Sequence, residues 1–332
     1  MSQRNTGLKT IAYELGLSIN TVSRALRDCS DIGESTKELV RKKAIELGYI
    51  QSTVASFIKR DEKKLIGVIV NNLDNLYFLA ISQKVAKLAF LKGYDFTFIL
   101  TFRDYVDTEI IKQCLSQRVD AIISTLVLDE KTIDMCRLNA IPVCLIGQNG
   151  ESVPEDDYCD YVFSDIENGA VLMANYMANF HSIRRLVYVT SEKATFSYPR
   201  YEKIKAAFEA IDPKIELISL EVEEVVSEIN NLISGSYFGY VCFNDELAYA
   251  LLSRLNEKIP NIRKIYPHLH FIGYDGLCTM IEGLIDLTTI SCNYEEMCAR
   301  GFERIEIRLN ATEPVKGEKI KMPVFLHQRK II

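Results

Sequence analysis

Five side chains near the amino end have the chemistry of a base reader. Ile19, Asn20, Thr21, Ser23 and Arg24 fall within one short segment, with Ser18 just before it. A guanidinium can bond guanine in bidentate fashion, a carboxamide can do the same for adenine, and an aliphatic side chain can meet a thymine methyl. The Ser and Thr hydroxyls suit phosphate oxygens. An ordinary polar helix face has the same composition, and spacing alone leaves both readings open. Residues 1–60 carry ten Lys and Arg against six Asp and Glu, within a 332-residue chain of net charge −6. Such a surplus gains affinity for a polyanion by releasing its counterions, although solvated faces also show it.

A second set lies where apolar runs end. Asn71-Asn72, Ser191, Asn244-Asp245 and Asp275 each follow such a run, Arg200 opens a helical pattern, and Tyr77 or Phe163 is available to stack. A carboxylate and a guanidinium facing one another across a cavity beside a ring can grip a polyhydroxylated molecule. The competing reading is local: Asn244 and Asp245 as helix caps, and Asp275 as the organiser of the turn from Gly273 to Gly276.

The elements that position the first set are three short helices. Leu8, Ile11, Ala12 and Leu15 form one apolar stripe, which Gly16 ends. Ser18 stands where an amino cap is needed, and Val22 with Ala25-Leu26 gives the second helix its inward face. A third helix is expected from Ser35, with Ser35-x-x-Glu38 as a capping box, to Gly48. Two short helices joined by a tight glycine turn make a helix-turn-helix, whose second helix can enter a DNA major groove.

From Leu65 onward, β-rich runs alternate with helical patterns. Strands are expected at 65–70, 96–100, 121–124, 143–146, 185–189, 215–218, 240–243 and 271–272. Helices are expected near 77–92, 108–117, 133–138, 166–181, 200–211, 222–233 and 245–255. This alternation predicts parallel sheets covered on both faces, with enough units for two lobes that meet near residues 163–165. Ligands of such sheets bind outside the carboxyl ends of the strands, where the second set lies.

The run from Ile11 to Leu26, with Thr21-Val22-Ser23-Arg24 at its centre, and Ile45-Glu46-Leu47-Gly48-Tyr49 after it, closely resembles the DNA-binding domain of LacI/GalR-family bacterial regulators. The resemblance continues at lower specificity through Arg118–Ile123, Asn244–Ala248, Ile272–Asp275, Leu287–Ile290 and Gln328–Lys330. It implies an α/β protein with an N-terminal three-helix helix-turn-helix domain and a two-lobed doubly wound parallel-sheet, periplasmic-binding-protein-like sensor domain. By this resemblance residues 1–50 bind DNA, 51–64 form a hinge helix and linker, and 65–332 bind effector and dimerise. The first lobe comprises 65–163 and 291–322, the second 164–290 and 323–332. Ile19, Asn20 and Arg24 fall on positions that read base edges. Ala55 and Ile58 fall in the hinge, with Ile58 as the minor-groove wedge and Phe57 as its competitor. Tyr77, Ser191, Arg200, Asn244 and Asp275 fall on effector positions.

The implied function is that of a cytoplasmic homodimeric repressor of carbohydrate-related genes. It binds a pseudopalindromic operator and responds to a small sugar-like ligand, without a cofactor. The sequence departs from the family pattern in several places. Gln51-Ser52 replaces Pro-Asn, Asn75-Leu76-Tyr77 replaces Asn-Pro-Phe, Gly147 replaces an Asp and Cys292 replaces a Gln. These changes leave room for a non-sugar metabolite or a partner protein as the controlling agent.

Other classes find less support. The sequence lacks a dinucleotide fingerprint, a P-loop, H-E-x-x-H and G-x-S-x-G, which disfavours a Rossmann-type enzyme. Its nine cysteines contain no C-x-x-C pair and only four histidines accompany them, so no metal site is expected and the thiols read as core residues of a reducing compartment. Met1 to Thr10 is polar and no window suits a membrane span, which argues against a transport-type binding protein.

Overall fold

In the first of the two units into which the chain divides, Met1–Lys64 and Leu65–Ile332, small apolar side chains let three helices approach closely. The computed structural model describes residues 8–26, 28–46, 63–71, 73–147, 156–180, 185–190, 197–234, 238–267 and 269–329. Helices α1 (Leu8–Leu15), α2 (Ile19–Leu26) and α3 (Glu34–Glu46) pack around Ile11, Ala12, Val22, Ala25, Val40 and Ala44. Gly16 takes φ +63°, and Leu17 N–H donates to the Ala12 carbonyl at 2.9 Å, a left-handed turn that suits glycine. Ser18 then caps α2, accepting from Thr21 N–H at 3.0 Å. The capping box expected at Ser35 does not form. Helix α3 begins one residue earlier, and the Gly33 carbonyl accepts from Thr36 and Lys37, so Ser35 lies inside the first turn.

The second unit holds two six-stranded sheets. The first contains β1 (Leu65–Val70), β2 (Asp95–Leu100), β4 (Ala121–Ser124), β6 (Val143–Gly147), β7 (Asp160–Ser164) and β13 (Lys319–Met322); two-residue strands β3 (Tyr105–Val106) and β5 (Val127–Leu128) pair beside it. Its order is β13-β7-β6-β4-β1-β2, all parallel. The second contains β8 (Arg185–Thr190), β9 (Glu216–Glu221), β10 (Phe238–Cys242), β11 (His270–Tyr274), β12 (Thr289–Cys292) and β14 (Val324–His327), in the order β14-β12-β11-β10-β8-β9. Only β14 runs antiparallel to its neighbour.

Strand β1 shows why continuous apolar runs were required. Ile66, Val68 and Val70 enter one buried layer, while Leu65 and Ile69 enter the other, so both faces are covered. Helices α4 (Leu76–Leu91), α5 (Thr108–Ser116), α6 (Glu130–Leu138) and α13 (Tyr294–Asn310) belong to the first lobe, and α13 packs on β6, β7 and α4. The second lobe carries α7 (Ile166–Ala178), α8 (Ser197–Ile211), α9 (Val222–Ser234), α10 (Asp245–Lys258) and the short α11 (Ile262–Ile265) and α12 (Leu277–Met280).

The chain passes between lobes three times: after β7, after β12, and through Pro323 between β13 and β14. Strand β12 runs to Cys292 in the second sheet, two residues into the segment expected to belong to the first lobe. At the opposite, amino end of β7 lies a fully buried acid, Asp160. Its carboxylate accepts from Arg304 Nε at 2.8 Å, Arg308 Nη1 at 3.2 Å and Glu318 N–H at 3.0 Å, tying β7 to α13 and the start of β13.

Candidate functional site

The DNA-type face is built on α2. Val22 and Ala25 turn inward, leaving Ile19 46% exposed and Asn20 exposed, with Thr21, Ser23 and Arg24 partly so. Ser18 Oγ also lies 2.8 Å from Thr21 Oγ1. Arg24 Nη2 pairs with Asp31 at 2.7 Å, and that hydrogen bond and charge raise the guanidinium pKa further. Arg24 Nε is buried and has no hydrogen-bond partner among the described residues. The expected positions Ala55 and Ile58 lie outside the described residues.

The second site lies between the lobes, at the carboxyl ends of the strands. Asn75 caps α4 through Oδ1, which accepts from Tyr77 N–H at 3.0 Å and Phe78 N–H at 3.2 Å. That places Tyr77 on the first turn, buried, its ring edge-on to Tyr294 with centroids 5.6 Å apart. Arg200, on α8, is also buried. Its guanidinium carbon stands 4.1 Å from the Tyr274 ring centroid and 4.5 Å from that of Phe243, and Nη1 donates to the Phe243 carbonyl. Asp275 follows β11 at φ +120°, an unusual backbone for a non-glycine residue and one found where surrounding structure holds it. The charges of Asp275 and Arg200 both act on the Tyr77 hydroxyl, so three of the five expected residues come together.

Burial drives the local electrostatics. It pushes the Tyr77 and Tyr294 phenols well above their ordinary range, keeping both as protonated donors. Both hydroxyls are buried without a hydrogen-bond partner among the described residues, a cost of about 1–3 kcal/mol each that a polar ligand or ordered water relieves. Asp245 is fully buried; burial first, then the charge of Asp275, holds its carboxyl well above the carboxylate range.

Two expectations need correction. Phe163 is no stacking residue, because it packs with Ile69, Ile122 and Val143 in the outer layer of the first lobe. Asp245 does not cap its own helix but accepts from Leu277 N–H at 2.8 Å, bracing the turn after Asp275. Asn244 does cap α10, accepting from Leu247 N–H at 2.9 Å, so the local reading accounts for its Oδ1. Asn71 donates to Asp104 at 2.8 Å. Ser191 lies outside the described residues. Tyr274, Tyr294 and Phe243 join the site without a signal at the strand ends considered above. Tyr294, two residues beyond β12, could have been found by extending the strand-end rule to that strand.

Elsewhere, Cys278, Asp286 and His327 bring ligand-type atoms within 4.8 Å of one another, with His327 Nε2 2.8 Å from Asp286. Arg263 feels the charges of both Asp286 and Arg329, so two guanidiniums oppose a cation there. Seven of the nine thiols are buried, and burial raises Cys136 to about 12.

In sequence order, a helix-turn-helix unit is followed by a two-lobed α/β unit. No family model matches the chain. It is 25% identical to the HTH-type transcriptional repressor PurR of Vibrio campbellii, over 98% of this chain and 96% of that protein. Among solved structures it resembles the lac repressor dimer bound to operator and the anti-inducer ONPF (TM-score 0.67, 20% identity, 98% of this chain and 99% of that one). It also resembles a LacI family regulator from Enterococcus faecium with bound ribose (TM-score 0.63, 21% identity, 80% and 97%). Over nearly its whole length the chain is thus similar to HTH-type transcriptional repressors, and its fold is that of the solved LacI-family structures. Among the described residues, no helix is long and apolar enough to cross a membrane.

Proposed function

We propose that the chain is a repressor that binds a pseudopalindromic operator as a homodimer and is controlled by a polyhydroxylated, sugar-like ligand between its lobes. The observation that carries the ligand reading is the buried group of Arg200, Asp275 and Tyr77, with the unsatisfied Tyr77 and Tyr294 hydroxyls beside it. A guanidinium held against the Tyr274 and Phe243 rings, a carboxylate and two phenolic donors match a molecule with many hydroxyls and one apolar face. Tyr294 and Cys292 on the same wall favour a second reading, a flatter and less hydroxylated metabolite. On DNA, Ile19, Asn20 and Arg24 read bases while Ser18, Thr21 and Ser23 hold phosphates. Residues 51–64 serve as hinge and linker, with Ala55 and Ile58 toward the minor groove.

The dimer reading draws on one exposed face of the first lobe. Edge strand β2 presents Phe96, Phe98 and Leu100, all at two-residue spacing, and Phe102 follows, 84% exposed. An apolar edge of this kind invites pairing unless covered, and a second copy covers it symmetrically. Phe98→Asp is expected to weaken dimerisation by about 2 kcal/mol or more, roughly 30-fold. Sedimentation velocity across a dilution series reads this directly, and an unchanged dimer constant rejects the face.

Selection of bound duplexes from a random pool, repeated with a panel of sugars and sugar phosphates, tests the whole reading. An enriched palindrome whose recovery changes with one sugar supports it; no enrichment under any condition counts against it. Asp275→Asn is expected to reduce the response to that sugar by about tenfold or more while operator affinity stays the same, since a charged hydrogen-bond acceptor becomes neutral. Normal titration by the variant returns Asp275 to a purely turn-forming role.

A further inference from the structure

At the first turn of α4 a carboxylate from the other lobe bridges the cleft. Glu246, on the first turn of α10, accepts from Asn75 Nδ2 through Oε2 and from Leu76 N–H through Oε1, both at 2.7 Å. Asn75 and Leu76 lie on the other lobe, 171 and 170 residues away in sequence. All three residues are partly buried, where a charge-assisted bond is stronger than in water.

The grip depends on what stands at position 76. A proline at this position would have no N–H to give. Leu76 supplies the donor that completes a two-point grip on one carboxylate. Asn75 is held in the matching orientation, because its Oδ1 already receives the Tyr77 and Phe78 N–H groups and only its amide nitrogen faces Glu246.

We propose that Glu246 is the positioning residue of the switch: by clasping Asn75 and Leu76 it sets the equilibrium between closed and open lobes, and thereby the response of the DNA-binding state to a cleft ligand. The coupling to DNA rests on the regulator reading above. The clasp itself is tested separately.

Three variants of the full-length protein decide it. Glu246→Ala removes both acceptors. Glu246→Gln keeps the charge-free outline of the side chain but sets an amide against a donor, either Asn75 Nδ2 or Leu76 N–H. Leu76→Pro deletes a single donor at the first position of a helix, where proline is well tolerated, so α4 stays intact. In Glu246→Ala, deuterium exchange at the Leu76 amide is expected to accelerate about tenfold, while the Tyr77 and Phe78 amides, held by Asn75, keep their rates. All three variants are expected to have a larger radius of gyration in solution scattering, with melting temperatures near that of the parent. Leu76→Pro added to Glu246→Ala should change nothing further, because both act on one clasp.

An unaltered Leu76 exchange rate and scattering profile in Glu246→Ala overturns the proposal. A parent protein that enriches no duplex defeats the regulator reading and leaves the clasp to be judged by exchange and scattering. Where the parent does enrich a duplex, the three variants are expected to shift affinity for it in one direction, by about threefold for the single donor and about tenfold for Ala. Parent-like affinity in all three reduces Glu246 to a structural contact and also overturns the proposal.

Discussion

Replacing Arg24 with alanine will weaken binding to the selected operator by about 1–3 kcal/mol and relax preference at one base pair in each half-site. Nothing in the helix depends on this side chain. Ser18 caps α2, Val22 and Ala25 anchor it, and the Arg24–Asp31 pair is exposed, so the first unit should melt as before. The loss is therefore one of recognition. Losing a phosphate contact would lower affinity for all sequences alike and shallow the salt dependence. Losing a base contact changes the selected sequence itself. Repeating the selection with the variant distinguishes these, and an unchanged consensus removes Arg24 from base reading. Asp31 will matter in the same experiment, because the carboxylate that orients the free guanidinium at 2.7 Å also competes with guanine for it.

Asp160→Ala will destabilise the second unit by about 3–5 kcal/mol, the usual result of removing one member of a buried ion cluster. The acid is fully buried and faces Arg304 and Arg308, which lie 13% and 7% exposed; truncation leaves Arg308 without its carboxylate and Arg304 with only the exposed Glu318 at 3.0 Å. Replacing all three by apolar side chains of similar volume is expected to recover most of the loss, since the desolvation cost disappears with the charges. The chain has no tryptophan, so urea unfolding is followed by circular dichroism or tyrosine emission. A midpoint shift corresponding to less than about 1 kcal/mol would show the cluster to be well solvated in solution.

Local chemistry made much of this molecule legible. A glycine at the turn, a serine at the cap and apolar residues three and four apart define the helix-turn-helix without reference to the rest of the chain. Apolar runs such as 65–70 and 121–124 similarly declare doubly covered strands. The signal fails where a strand's character comes from distant partners. Strand β7 begins with Asp160, which is tolerable only because arginines 144 and 148 residues later neutralise it. Strand β13 is Lys-Ile-Lys-Met, four residues at a sheet edge with half its side chains polar.

The interlobe site divides in the same way. Arg200, Asp275 and Tyr77 could be named because each stands near a strand end or helix start. Tyr294 and Tyr274 are not legible as site residues, because in a linear reading their rings look like core. Glu246 was invisible as a bridging residue, since a glutamate on the first turn of a helix is ordinarily explained by the helix dipole.

The three passages between lobes, after Ser164, after Cys292 and through Pro323, together dictate how the second unit can move. One covalent thread would let two bodies tumble, and two would leave a twist between them. Three, one of them a single proline whose φ is nearly fixed, confine the bodies to swinging about a common axis, like a door on three pins. A change in the spacing of the two sheets is consequently expressed as an angle, and one geometric variable suffices to describe how the lobes move.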